Sequence, residues 1–148
     1  MANIVFNIAL GKVKYYAELP AANDALIVVP IETTGIVTDA TMRDYDNLSL
    51  LLAGASNEQT TMGRKTLANV TVTVDDTNDR VALDCDDVVW LAASGNAVSA
   101  LVICYDPDTT GGTDSDIVPL SKHDFAITPD GSDVTATVAD FLRASSAA

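Results

Sequence analysis

The sequence predicts an α+β fold, mainly β: a compact single domain of antiparallel strands and hairpins with one or two short helices. Three observations point there. Apolar runs are short, rich in branched side chains and broken by clusters of Asp, Gly, Asn and Pro. Among 21 acidic residues only Glu18, Glu32 and Glu58 are glutamates, and aspartate favours turns and caps over helix interiors. Val and Thr are abundant, which suits a pleated, half-buried surface, and only one segment carries a clear helical stripe.

In chain order, Ile4, Phe6 and Ile8 alternate with Val5, Asn7 and Ala9, which predicts an opening strand. Gly11–Leu19 fits either period; a short helix ended by Pro20 is preferred. Ala21–Asp24 reads as a turn. Ala25–Ile31 reads as a buried strand, with Pro30 suggesting a sheet edge or a strand end. The stripe Tyr45, Leu48, Leu51 and Leu52 predicts a helix over Asp44–Ala53, capped by Asp44 or Asp46 and stopped by Gly54. Ser56–Thr66 is polar and aperiodic and reads as an exposed excursion.

The second half is β in character. Val70, Val72 and Val74 alternate with Thr71 and Thr73, Asp75–Asp79 turns, and Val81, Leu83 and Cys85 alternate with Ala82, Asp84 and Asp86, a hairpin with one wet face. Trp90 is expected to anchor the core beside it. Ser94-Gly95-Asn96 turns the chain into the strand Leu101–Tyr105. The acidic loop Asp106–Asp116 follows, with an apolar segment, Ile117–Leu120, behind it. Phe125 and Ile127 precede a Pro129-Asp130-Gly131 turn, and Val134–Val138 returns. Phe141 and Leu142 pin the end of a single domain spanning residues 1–143, leaving residues 144–148 as a frayed tail.

At 148 residues and 15.5 kDa, one domain can bury roughly 70% of its unfolded surface, whereas two would each be too small. With only 8 Lys and Arg the formal charge is −13, so the chain repels phosphate backbones and is a poor candidate for DNA, RNA or an anionic membrane. No apolar stretch approaches the ~20 residues of a span. The opening MANIVFNIALGK lacks a basic leader and does not read as a signal peptide. Cys85 and Cys104 sit in strand-like runs and read as small core residues of a reducing cytosol.

The residues assemble no active site. Asp106, Asp108, Thr110, Gly111 and Asp114 match positions one, three, five, six and nine of a calcium loop, and Asp116 adds a fourth carboxylate. The twelfth position, however, is Ile117 rather than a bidentate acid, and a solvated acidic turn is the preferred reading over a calcium site at Asp106, Asp108, Asp114 and Asp116. The Asp75/Asp76/Asp79 cluster is ordinary turn chemistry. His123, the only histidine, has Ser121 and Asp124 nearby. Neighbours on a strand face opposite ways, so Asp124 cannot orient the imidazole, and a structural histidine is preferred over a hydrolase base. Gly63-Arg64-Lys65-Thr66 is similar to the end of a phosphate-binding loop, but Arg64 interrupts it; the segment reads instead as positive charge for an acidic partner. Asp84, Asp86 and Asp87 read as a solvated strand face. No catalytic residue, cofactor or metal is expected.

Four blocks carry a resemblance: MANIVFNIALGKV, TDATMRDYDNLSLLLAGASNEQTTMGRKTL, VDDTNDRV and ICYDPDTTGGTDSDIVPLSKHDFAITPDGSD. They resemble a family of small virion proteins of tailed bacteriophages, of the head decoration (capsid cement) type. The resemblance implies a non-enzymatic protein that binds the major capsid protein on the exterior of the assembled head, after assembly in the host bacterial cytoplasm. It further implies a homo-oligomer, with trimers as the arrangement that matches local threefold positions of a lattice. A tail or head–tail connector component is the nearest alternative; a calcium-dependent module or a small hydrolase using His123 is more remote.

Overall fold

Two apolar runs, Ala25–Glu32 (β2) and Val98–Asp106 (β7), are each charged only at the last residue, and they pair antiparallel from Ala25↔Asp106 to Glu32↔Val98. The other elements are laid against the two faces of that pair. The computed structural model describes residues 2–54 and 56–145. Its further strands are Ile4–Val5 (β1), Lys65–Thr66 (β3), Thr71–Asp75 (β4), Arg80–Asp84 (β5), Val88–Trp90 (β6), Val118–Ile127 (β8), Val134–Ala136 (β9) and Leu142–Ser145 (β10). Three short helices, Val13–Ala17 (α1), Asp39–Met42 (α2) and Leu48–Ala53 (α3), accompany them, with a 3-10 turn at Asn7–Ala9. All pairings are antiparallel, in a five-stranded sheet β1-β8-β7-β2-β3, a three-stranded sheet β10-β5-β4 and a two-stranded ribbon β6-β9. The fold is α+β and mainly β.

Strand period two explains why β2 and β7 read as continuous apolar runs: both of their faces are buried. Leu26 and Val28 join Leu101, Ile103 and Tyr105 on one side, packing on the two smaller sheets and α1. Ala25, Ile27, Val29 and Ile31 join Ala100, Val102 and Cys104 on the other, packing on Phe6, Met42, Leu48 and Leu51. A register shift between Val98 and Ala100 moves Val98 onto the first side despite its even number.

Several elements differ from the sequence expectation. The opening strand stops at Val5, because Asn7 N bonds Arg43 O and Asn7 Nδ2 bonds Asp44, turning the chain under β8. The helix expected from Asp44 starts at Leu48: Asn47, in extended backbone, is the cap, and its Oδ1 accepts Leu50 N at 2.9 Å. Gly54 follows it, and a Cβ there would collide with the Tyr45 hydroxyl. Pro30 lies in a central strand, not at an edge. Its carbonyl accepts Gln59 N, so its missing N–H faces that loop rather than the β7 ladder.

Ser56–Thr66 is not an exposed excursion, since Ser56, Gln59 and Met62 are buried. Gln59 organises it: Nε2 donates to Ser94 O and Asn96 O, while Oε1 accepts Thr61 N and Met62 N. Past the Pro129 turn, the Val134 strand pairs with β6 in the opposite layer instead of returning on β8. Pairing with β5 continues through Ala144 and Ser145, two residues into the segment expected to fray; residues 146–148 lie outside the described part. Trp90 is buried as expected and donates Nε1–H to Gly63 O at 3.0 Å.

Candidate functional site

Strand β8 carries the only histidine, and its pairing with β7 sets where each side chain goes. Ser121 sits opposite Ile103, and His123 opposite Leu101, on the small-sheet side; Lys122 sits opposite Val102, on the helix side. Ser121 Oγ and His123 Nε2 lie 3.0 Å apart. Burial lowers the His123 pKa, helped by the Lys122 charge and opposed by Asp124, so the imidazole is neutral at pH 7. Asp124 projects to the other face and is held by Lys122, so it does not orient the imidazole. Ser121 is only 1% exposed, and together with His123 it borders a second, open groove of about 340 Å³ that is also lined by Phe141 and Arg143.

Lys122 is fully buried, a placement that sequence reasoning missed. Its ammonium reaches Asp39 Oδ1 at 2.8 Å and Asp124 Oδ1 at 2.7 Å, the pairing a buried charge requires. Asp39 Oδ2 takes Ala2 N, and Asn3 Oδ1 takes Asp124 N, which fastens the start of the chain across the same cluster. The Lys122 hydrogen bond, reinforced by Ala2, holds the Asp39 carboxyl below its ordinary range.

The acidic loop does not converge its carboxylates. Asp108 Oδ1 accepts the N–H and hydroxyl of Thr110, and Asp116 Oδ2 accepts those of Thr113. Asp106 Oδ1 accepts Asp108 N. Asp114 is bidentate with Arg64, at 2.6 and 3.0 Å, while the same guanidinium holds Glu58 at 2.8 and 2.7 Å. Thr110, Thr113 and Arg64 respectively lower the pKa of Asp108, Asp116 and Asp114. Arg64 is therefore an internal clamp between the loop and the Ser56–Thr66 segment, which corrects the expectation that it is offered to a partner. Among the described residues no group of three His, Cys, Asp or Glu side chains is placed to hold a metal ion.

The Asp84, Asp86 and Asp87 run is also more than a solvated face. Asp84 Oδ1 accepts Cys85 N and Asp140 N, Asp87 Oδ1 accepts Val138 N, and Asp86 Oδ2 accepts Asn69 Nδ2. The segment from Thr137 to Phe141 is thus tied by aspartate caps across a cavity of about 400 Å³. Val28, Leu101, Ile103, His123 and Phe125 line it from the central sheet, with Cys85 and Val88 among the residues opposite. Cys85 and Cys104 are both buried and free, on opposite sides of that sheet. Burial, with Asp84 and its neighbours, raises the Cys85 thiol to about 11, and burial raises Cys104 as well, so neither is a thiolate at pH 7.

A surface feature also escaped the sequence reading. Among the described residues, four of the eight large apolar side chains left exposed, Ile8, Leu10, Tyr15 and Leu19, lie in one stretch, with Leu10 at 62% and Tyr15 at 56%. Lys12 and Lys14 interleave with them, and the single acid there, Glu18, is paired to Lys14. Protein-family models, curated proteins and solved structures all return no match to this chain. Among the described residues, no helix is long and apolar enough to cross a membrane.

Proposed function

We propose that the protein is a structural component of a tailed-phage virion, of the head decoration type, which adheres to the major capsid protein and stabilises the shell. The sequence blocks quoted above supply the family. The observation that carries an adhesive role is the Ile8–Leu19 stretch, where exposed apolar side chains and lysines coincide on a chain whose formal charge is −13. Such a patch contributes buried apolar area at a contact, while the rest of the surface keeps copies apart by like-charge repulsion. The Ser121–His123 pair, with its hydroxyl buried and no carboxylate on the imidazole, favours adhesion over hydrolysis.

Bridging neighbouring capsomers raises the barrier to rupture, because breaking the shell then also breaks the decoration contacts. Particles lacking the protein should form but burst more readily on heating, and purified protein added back should restore them. The double variant Leu10→Asp/Tyr15→Asp should keep its melting temperature, since both side chains are exposed, and lose retention on the particle. Copy number decides the location. Hundreds of copies per particle by quantitative mass spectrometry support the head exterior; about six or twelve, at the portal or along the tail, would replace it with the connector or tail reading.

A further inference from the structure

The two sides of the central sheet are buried unequally. On the helix side Val29, Ile31, Val102 and Met42 have no exposed surface, although Ala25 and Ile27 keep 6–8%; on the other side Leu101, Ile103, Cys85 and Val88 each keep 5–8%, beside a fully buried Leu26. Those four line the cavity of about 400 Å³, which opens to solvent on one side, so their residual exposure faces that cavity. Its size falls in the range of small-molecule sites, and its walls are mostly aliphatic and aromatic. We propose that this cavity binds an uncharged, largely apolar small molecule carrying one hydrogen-bonding group.

Charge and geometry narrow the ligand. Of the two aspartates beside the cavity, Asp124 turns its carboxylate to Lys122 on the helix side and Asp140 is paired with Arg143, so a cation finds no free counter-charge. An anion is repelled by a chain of charge −13 and meets no unpaired base. The polar handle is His123. Its Nε2 is engaged by Ser121, which leaves Nδ1 of a neutral imidazole for one ligand group. Entry needs little unfolding, because the Thr137–Phe141 cover is held by the two aspartate caps on Val138 N and Asp140 N rather than by a strand ladder. The site is independent of the adhesive stretch at Ile8–Leu19, and its test does not require a virion.

The probe is indole, with benzoate of similar size as the charged control. In amide NMR titrations, millimolar indole should shift the signals of Leu101, His123 and Phe125 saturably, and it should raise the calorimetric melting temperature. Benzoate should do neither. Ala136→Leu, which fills the cavity from β9, should retain the fold and abolish the indole effect; Ala136→Val is the milder filler if the larger one perturbs folding. His123→Leu should weaken indole several-fold while leaving toluene, which needs no polar handle, unaffected. Absence of saturable shifts at those three amides, shifts confined to another surface, equal binding of benzoate, or undiminished indole binding in a folded Ala136 variant would each overturn the proposal.

Discussion

The helix side and the small-sheet side of the central sheet are lined by alternate residues of the same two strands, yet one is closely packed and the other borders a half-open cavity. On the closely packed side the cover is α2, α3 and the Phe6 turn, whose Met42, Leu48, Leu51 and Phe6 are long side chains with no branch at Cβ and are fully buried. Helices can slide and rotate until such side chains fill the available space. The other cover is made of two separate small sheets, β10-β5-β4 and β6-β9. Stacked sheets interleave side chains across about 10 Å, and where the cover is two separate small sheets the seam between them need not be filled. The hollow thus follows from how the cover is divided, not from any shortage of apolar residues.

Truncations should show the largest contrast. Trp90→Ala should cost about 3–5 kcal/mol, because the indole is the main filler on the small-sheet side and its loss also leaves Gly63 O without its donor. For a matched pair, Leu51→Ala on the closely packed side should approach about 4–5 kcal/mol, and Leu101→Ala on the cavity side about 2–3 kcal/mol. Leu101 already borders empty space, so fewer contacts are lost with its methyls. Urea midpoints of the two leucine variants should differ in that order; equal midpoints would mean the hollow is closed in solution.

Enlargement should reverse the sign of the contrast. Ala100→Leu enters a fully packed layer and should cost about 1–3 kcal/mol. Ala136→Leu points into the cavity and should be neutral or stabilising by up to about 1 kcal/mol. Thermal melts of the two variants check it, and a destabilised Ala136→Leu would show that the cavity has no room for the added methyls.

Local pattern made much of this architecture legible, and non-local partners hid the rest. The runs at Ala25 and Leu101 declared themselves as continuous apolar stretches buried on both faces, whereas the alternation expected of the hairpin fails at Val74, which is 60% exposed, and at Ala82, buried beside Leu83; Trp90 declared itself by size. Pro30 misled because its edge signature is satisfied by one loop bond from Gln59, contributed from a segment with no periodicity of its own. Gln59, Arg64 and Lys122 look like surface residues in sequence. Their burial depends on partners as distant as Asn96, Asp114 and Asp39, which no spacing rule connects. The cavity is less legible still, because it is the space left between elements, one of which, the segment after Val134, was expected to return on β8 rather than to pair with β6.

The smallest effect separates the two sides by pH. On the helix side Asp39, held low by Lys122, contributes stability that is full above the unfolded carboxylate value of about 3.9 and is lost as pH falls through its lower folded value. Capping aspartates such as Asp108, Asp116 and Asp130 lose their contribution in the same acid window. His123 lies on the cavity side, next to Lys122 and Asp124 on β8 and across from Cys85 and Asp140, and acts higher on the scale. Its folded pKa is depressed, so the unfolded chain binds the proton first as pH drops below about 6.5. With more protons on the unfolded state, stability rises with pH; the His123 share is complete above about 6.5 and lost between there and its lower folded value. Melting temperature should therefore decline in two steps on acidification, a shallow one that begins as pH falls below about 6.5 and a steep one near and below pH about 4. His123→Asn, which keeps a polar partner for Ser121, should flatten the shallow step alone, and Asp39→Asn should weaken only the steep one. A shallow step that survives in His123→Asn would mean the imidazole is already solvated, and hence that the cavity side is open enough for water to reach it.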